Sequence, residues 1–236
     1  MFIERNPRFT IYFGDATQSV SLAEIGAKQN TLALQNIMQQ VQAKQIAFLR
    51  QEHGVHGKII ELTDDANYFF QPVGDYLMTA KIDCGIGVVT ADCLPIVIYD
   101  PINHAAGIVH AGWKGLLAGV LQVAIADMIV QFGSRPEDLL VYLGPSARPC
   151  CYEVQQDFVD QFREHEKNFH EFFITKEGKI YFDSQSFIML IARNLGIEPE
   201  KLYTRYNLCT ICNLSFCSYR REKEKARRQV TMICLH

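Results

Sequence analysis

Three possible metal ligands each follow an apolar, strand-like run of the chain. His53 stands in RQEHG, Cys93 in TADCLP and His110 in HAGWKG. Two imidazoles and one thiol at strand ends could meet around a single ion, and zinc accepts such donors in a tetrahedral shell. A zinc ion with three protein ligands keeps one position open, where it can activate water or polarise a substrate. The three residues are therefore a candidate catalytic metal site.

The spacing of these ligands is not diagnostic by itself. A zinc finger is identified by paired CxxC and HxxxH motifs, which these three segments lack. The alternative interpretation is a buried cysteine and two histidines whose hydrogen bonds are satisfied near loop ends. His56, three residues after His53, could also compete as a ligand.

Charged residues near these motifs could bind an anion or move a proton. Lys114 stands at the start of a predicted helix, where backbone N–H groups favour anions. Arg220 or Arg221 could offer a bidentate fork to phosphate. Asp75 in GDYLMT and Asp92 beside Cys93 are candidates for proton transfer. In each case the alternative is a solvated charge or a structural hydrogen-bond acceptor.

The chain has eight cysteines, and most of them lie outside the candidate site. Cys209 and Cys212 form a CxxC motif, which could be half of a metal site or a redox pair. Cys150 and Cys151 are adjacent, and we expect them to be poorly placed to chelate one ion together. A second structural metal is therefore disfavoured but open. The remaining cysteines are expected in the core: Cys84, Cys217 and Cys234.

Hydrophobic patterning predicts the elements that position these residues. Runs of β-branched and apolar residues at 86–90, 95–99 and 105–109 predict buried strands. Helical periodicity predicts one helix over about 31–44 and another from Gly115 to about Gln131. Three late strands are predicted at 203–207, 216–221 and 229–234. Because helices and strands do not alternate regularly, we expect a single α+β domain, residues 1–236, of mixed β-sheets covered by helices.

Composition limits the possible functions. Hydrophobic residues make up 48% of the 236 residues, so a large core can form. A net charge of −3 gives no broad attraction for nucleic acid or an anionic membrane. No apolar run is long enough for a membrane span, and the first residues lack a signal-peptide pattern. We therefore expect a cytoplasmic protein with reduced thiols, no nucleic-acid partner and no membrane partner.

Several motifs together resemble the bacterial YfiH/YlmD-type family, formerly called "multicopper polyphenol oxidase laccase". These motifs are TADCLPIVIYD, GIVHAGWKG, LGPSARPCCYEV and SYRR. The similarity runs from about residue 46 to 235, and residues 1–40 match weakly. It implies an α+β fold, similar to that of certain deamidating toxins, with zinc held by His53, Cys93 and His110. It also implies purine nucleoside phosphorylase activity on adenosine, inosine and methylthioadenosine, with adenosine deaminase activity as well.

The older laccase name has little chemical support. Multicopper oxidases need several copper sites with many histidine ligands, and the chain has seven scattered histidines. Copper in place of zinc at the single site stays open. The chain also departs from the family pattern: Lys114 stands where the family usually has Arg, and either Arg227 or Arg228 could match the arginine that usually follows SYRR.

Three functional hypotheses follow. The first is a zinc-dependent purine nucleoside phosphorylase and adenosine deaminase, whose partners are nucleosides and phosphate. The second is a metal-free cysteine hydrolase in which Cys93 is the nucleophile and His110 its base. The third, which the family resemblance also suggests, is a non-catalytic zinc domain that binds a partner or acts in cell-wall precursor quality control.

Overall fold

The computed structural model describes residues 1–26, 31–60, 68–165 and 169–236. The strands, in chain order, are β1 (Phe2–Asn6), β2 (Phe9–Phe13), β3 (Gln45–Arg50), β4 (Gly57–Ile59), β5 (Tyr68–Val73), β6 (Tyr76–Thr79), β7 (Cys84–Thr90), β8 (Leu94–Asp100), β9 (Ala105–Ala111), β10 (Leu140–Leu143), β11 (Glu153–Val154), β12 (Phe173–Lys176), β13 (Lys179–Phe182), β14 (Leu202–Tyr203) and β15 (Gln229–Leu235). The α-helices are α1 (Leu22–Gly26), α2 (Leu32–Val41), α3 (Trp113–Ala118), α4 (Val120–Phe132), α5 (Gln156–His165), α6 (Ser184–Asn194) and α7 (Tyr219–Glu222).

Two mixed six-stranded sheets form the centre of the molecule. The first has the order β1-β2-β15-β7-β3-β5, and the second has the order β14-β10-β8-β9-β6-β4. A small third sheet has the order β11-β13-β12. In the first sheet the C-terminal strand β15 lies between β2 and β7, antiparallel to both. These mixed sheets with helices on their faces confirm the predicted α+β fold class.

Each large sheet packs against apolar layers on both of its faces, because successive side chains of a strand point to opposite faces. In β8, Val97 and Tyr99 belong to a core that also contains Ile233 of β15, so the two sheets pack face to face. Ile96 and Ile98 point the other way, into a core shared with α4 and α6. On the outer face of the first sheet, α2 covers a third apolar cluster. The layers of the molecule are therefore, in order, α2, the first sheet, the second sheet, and α4 with α6. Because strands such as β8 are buried on both faces, they are apolar without alternation.

The predicted helix over 115–131 is two helices in the structure. Gly119 adopts φ +84°, in the left-handed region, and it ends α3 and precedes α4. Glycine occupies this region without the Cβ penalty that other residues meet, so it separates two helices with continuous apolar periodicity.

The predicted strand over 216–221 is wrong. Ser218 instead caps the short helix α7, because its side chain accepts a hydrogen bond from the Arg221 N–H. The predicted strand over 203–207 is limited to β14, whereas the prediction over 229–234 is confirmed by β15. Among the described residues, no helix has both the length and the apolar character needed to cross a membrane.

Candidate active site

The structure brings His53, Cys93 and His110 together. His53 lies in the loop after β3, Cys93 between β7 and β8, and His110 near the end of β9. The potential ligand atoms of the three residues all lie within 4.8 Å of one another. The Cys93 Sγ and the His53 Nε2 are 3.8 Å apart. Three segments distant along the chain therefore converge on a volume that fits one ion.

Asp75 orients two of these candidate ligands. Its Oδ1 lies 2.7 Å from the His110 Nδ1, and both side chains are buried. The same carboxylate accepts the backbone N–H groups of His53 at 2.9 Å and Gly54 at 2.6 Å. Burial alone would raise the pKa of Asp75, but the hydrogen bonds from His110 and these N–H groups lower it. With its Nδ1 engaged, His110 presents the Nε2 atom to the other ligands.

Gly112 makes room for the imidazole of His53. A Cβ added at Gly112 would lie 2.5 Å from the His53 Cδ2 and 3.4 Å from the Cys93 Sγ. His53 itself adopts φ +65°, a left-handed conformation that is uncommon for a residue with a side chain. The glycine in HAGWKG is thus explained by close approach to the ligands.

Cys93 and His110 interact strongly with each other. Burial opposes a charge on the Cys93 sulfur, but attraction to His110 and hydrogen bonds from His110 and His53 lower its pKa to about 6. The same attraction, with the Asp75 hydrogen bond, outweighs burial and raises the pKa of His110. Cys93 is therefore favoured as the thiolate, which is the form that binds metal and attacks electrophiles.

This donor set fits zinc. One thiolate and two imidazoles are borderline-soft ligands of the kind that zinc prefers, and three protein ligands leave one position for substrate or water. The hydrogen bond from His110 to a carboxylate is the support that histidine ligands commonly have. His56 is exposed and does not belong to the ligand group.

The three candidate ligands line a cavity of about 1040 Å³. Its aromatic walls include Trp113, Phe158 and Tyr152, and the rings of Trp113 and Phe158 are 5.2 Å apart. Cationic groups also line it, among them Arg220, whose guanidinium lies 5.3 Å from the centre of the Tyr152 ring. The cavity thus combines a candidate metal centre, flat apolar surfaces and positive charge.

Asp92 lines the cavity, and its carboxylate is engaged by the C-terminal part of the chain. The Thr210 hydroxyl donates to it at 2.6 Å and the Ser218 hydroxyl at 3.0 Å. The Arg220 backbone N–H donates at 2.6 Å. Asp92 adopts φ +84° and holds the loop of Cys93 against the loops of Thr210 and Arg220.

The three predicted phosphate-binding cations lie in different surroundings. Arg220 lines the cavity, whereas Lys114 and Arg221 are not among the residues of its wall. Lys114 is exposed, and its Nζ lies 5.6 Å from the centre of the Trp113 ring. The guanidinium of Arg221 donates to the carbonyl oxygens of Thr210, Ile211 and Phe216, and so it braces the preceding loop.

Sequence reasoning missed several residues of the cavity wall. Gln51 lines it and exchanges two 2.8 Å hydrogen bonds with the backbone of Val89. Tyr152 also lines it. Of the two arginines that the sequence left open, Arg228 lines the cavity, while Arg227 contacts Ser19 and Glu24. No local periodicity marks such residues, because they belong to loops that meet only in the folded chain.

Comparison with known proteins identifies the relatives of this chain. A purine nucleoside phosphorylase of Borreliella burgdorferi is 36% identical over 186 residues, which cover 77% of this chain and 76% of that protein. A purine nucleoside phosphorylase of Clostridium acetobutylicum is 29% identical over 98% of this chain and 94% of its own length. The crystal structure of YfiH from Bacillus licheniformis superposes with a TM-score of 0.78 at 25% identity, covering 97% of this chain and 91% of that one. The sequence model of the family described as "Multi-copper polyphenol oxidoreductase laccase" matches residues 15–236. The chain therefore belongs to this laccase-like family, the YfiH-type family that its motifs resemble.

Proposed function

We propose that the protein is a zinc-dependent purine nucleoside phosphorylase that acts on adenosine, inosine and methylthioadenosine and also deaminates adenosine. The names of its relatives support the phosphorylase activity. The observation that carries the proposal is the position of the His53, Cys93 and His110 cluster on the wall of a large cavity with aromatic and cationic residues.

The aromatic wall suits a purine base. Trp113, Phe158 and Tyr152 offer planar apolar surfaces, and bases bind such surfaces by stacking. The cavity volume of about 1040 Å³ leaves room for a nucleoside together with phosphate. Stacking of the base would place the ribose between this wall and the ligand cluster.

The cationic residues suit phosphate. Arg220, Lys223 and Arg228 line the cavity, and a guanidinium can bind phosphate with two parallel hydrogen bonds. We assign the main phosphate contact to Arg220, because Arg221 is held by backbone carbonyls. Lys114 would attract phosphate through its positive charge near the start of α3 rather than by direct contact in the cavity.

In phosphorolysis, an oxygen of phosphate forms a bond to C1′ of the ribose while the bond from C1′ to the base nitrogen breaks. The products are ribose 1-phosphate and the purine, which takes up a proton. In deamination, the oxygen of water bonds to C6 of adenine and ammonia leaves. Zinc bound by His53, Cys93 and His110 would supply Lewis acidity for both reactions.

The carboxylates serve these reactions by positioning. Asp75 fixes the ring of His110 and the backbone of His53, so the donor atoms keep their places. Asp92 holds the backbone of Arg220, which directs the cation toward the cavity. Such preorganisation stabilises developing charge without reorganisation during the reaction.

The test is to incubate the purified protein with adenosine, with and without phosphate, and to identify the products by mass spectrometry. Adenine and ribose 1-phosphate should form only with phosphate. Inosine should form without phosphate, and with phosphate it should be accompanied by hypoxanthine, the base released from it. Cys93→Ala should abolish both reactions and lower the zinc content. Cys84→Ala, which removes a buried thiol at the opposite end of β7 from Cys93, should change neither. Unchanged turnover and zinc content in Cys93→Ala would refute the proposal.

A cysteine hydrolase is the second candidate, because Cys93, His110 and Asp75 form a chain of thiol, imidazole and carboxylate. Removal of metal with a chelator separates the two functions. Activity that disappears with the metal and returns with added zinc supports the phosphorylase. Activity that survives chelation and disappears on alkylation of Cys93 supports the hydrolase.

A further inference from the structure

A second group of possible metal ligands lies outside the candidate active site. The sulfur atoms of Cys150, Cys151, Cys209 and Cys212 all lie within 4.8 Å of one another. The Sγ atoms of Cys150 and Cys212 are 4.0 Å apart. The sequence predicted that the adjacent pair Cys150-Cys151 would be poorly placed to serve one ion, and the structure places both beside the CxxC pair.

The sheet topology explains how these cysteines meet. Strands β10 and β14 are parallel neighbours, so the loops that follow them leave the same edge of the second sheet. The loop after β10 carries Cys150 and Cys151, and the chain after β14 carries Cys209 and Cys212. A backbone bridge between Ser146 and Cys209 fixes the two loops side by side.

A tight turn points the adjacent cysteines toward a common centre. The N–H groups of Cys151 and Tyr152 both donate to the carbonyl oxygen of Arg148, at 2.9 Å and 2.8 Å. Successive side chains alternate between two faces in a strand, but a turn removes this alternation. Cys150 and Cys151 can therefore act on the same ion.

The distances fit one tetrahedral ion. Zinc–sulfur bonds of about 2.3 Å at tetrahedral angles place neighbouring sulfurs about 3.8 Å apart. The 4.0 Å separation of Cys150 and Cys212 is close to this value. It is about twice the length of a disulfide bond of about 2.05 Å. An iron–sulfur cluster would spread its four cysteine sulfurs farther apart than a single ion does.

Backbone N–H groups around Cys209 stabilise its sulfur as a thiolate. Its sulfur accepts hydrogen bonds from the N–H groups of Cys212, Arg148 and Ile211. Two of these donors follow Cys209 by two and three residues, so the CxxC loop wraps around its own sulfur. Hydrogen bonds to a coordinating thiolate are the usual outer support of a metal site.

Exposure also distinguishes these thiols from the core cysteines. Cys150 and Cys212 are exposed and Cys151 and Cys209 are partly exposed, whereas Cys84, Cys217 and Cys234 are buried. The group is therefore open to an ion from solvent and is not explained by apolar packing.

We propose that Cys150, Cys151, Cys209 and Cys212 bind one zinc ion in a tetrahedral thiolate site, separate from the site of His53, Cys93 and His110. Four protein ligands close the coordination shell, so the role is structural. The ion joins two loops that have little regular secondary structure. One leads to Tyr152 on the cavity wall, and the other carries Thr210, which donates to Asp92.

Metal counting tests the proposal. Protein purified under reducing conditions is analysed by elemental mass spectrometry, and Cys209→Ser should lose one equivalent of zinc relative to the wild type. Cys93→Ala should keep the equivalent that Cys209→Ser loses, and Cys84→Ala is the matched control with wild-type content. This comparison is independent of enzymatic activity, so failure of the proposed function leaves it intact. Wild-type metal content in Cys209→Ser, or iron as the ion that is lost, would overturn the proposal.

A second measurement uses the wild type, in case Cys209→Ser does not fold. Cobalt is added to metal-free protein, and a site of four thiolates should give intense sulfur-to-metal charge-transfer bands, with four thiols besides Cys93 becoming protected from alkylation. These bands should persist in Cys93→Ala. Protection of only one thiol contradicts the proposal, as does a mass decrease of about 2 Da that shows a disulfide in place of bound metal.

Discussion

Asp75 contacts two members of the candidate ligand cluster, and we expect it to position them. Its carboxylate holds the His110 ring and the backbone of His53, and it is fully buried. Removal of such support from a metal ligand typically lowers metal affinity by about 10–100-fold. Asp75→Asn keeps the shape of the side chain but replaces one carboxylate oxygen with an NH2 group. Because an NH2 group cannot accept a hydrogen bond from a backbone N–H, at least one of the hydrogen bonds to Asp75 must be lost.

We therefore expect Asp75→Asn to bind zinc about 10–100-fold more weakly, as measured by competition with a chromophoric chelator. Asp157→Asn is the matched control, because Asp157 lies on the cavity wall in the first turn of α5 and is exposed. Equal zinc affinity in Asp75→Asn and Asp157→Asn would show that Asp75 does not orient the ligands.

The thiol of Cys93 should titrate far below the ordinary range. Attraction to His110 lowers its pKa from 9.0 to about 6 despite burial, so the thiolate of metal-free protein persists down to about pH 6. The rate of alkylation by iodoacetamide should accordingly rise through pH 6, because the thiolate is the nucleophile. This low-pH component should be absent from Cys93→Ala. A midpoint near 9 for Cys93 would contradict the thiolate–imidazolium pair.

At the scale of elements, Gly119 allows α3 to present Trp113 to the cavity while α4 packs on the second sheet. Its φ of +84° belongs to the left-handed region. An alanine there costs about 1–2 kcal/mol, while asparagine tolerates the conformation better. Gly119→Ala should therefore lower Tm by about 2–8 °C, since about 1 kcal/mol corresponds to about 2–4 °C in a protein of this size. Gly119→Asn should lie closer to the wild type in thermal unfolding, and the reverse order would refute the conformational argument.

The elements that sequence reasoning identified are those with a strong apolar signal. The runs around Cys93 and His110 became β7, β8 and β9, because strands buried on both faces have few polar residues. The predicted strands between β14 and α7 are wrong or shortened, because the shape of this region is set by hydrogen bonds to Asp92 from residues more than a hundred positions away. The sequence leaves a second metal at Cys209 and Cys212 open but does not join Cys150 and Cys151 to it, because the parallel pairing of β10 with β14 brings together two loops that no local pattern connects.

At the scale of the whole molecule, strands from the two ends of the chain pair with each other inside the first sheet. The C-terminal strand β15 pairs with β2 near the N-terminus and with β7, which leads to Cys93. The sheets that carry the site therefore depend on contacts between distant parts of the chain. Long-range pairing of this kind slows folding, because the entropy of loop closure is lost before the contacts can stabilise the chain.

Ile233 of β15 tests this dependence. It is fully buried in the core between the two large sheets. Ile233→Ala removes apolar contacts from both sheets and leaves a cavity, so the free energy of unfolding should fall by about 2–5 kcal/mol in denaturant titration. Ile102→Ala is the same substitution at a turn residue that is 68% exposed, and it should change stability by less than about 0.5 kcal/mol. Equal effects of the two substitutions would mean that packing of β15 does not stabilise the contact between the sheets. The position of the cavity wall around Cys93 would then depend on other contacts.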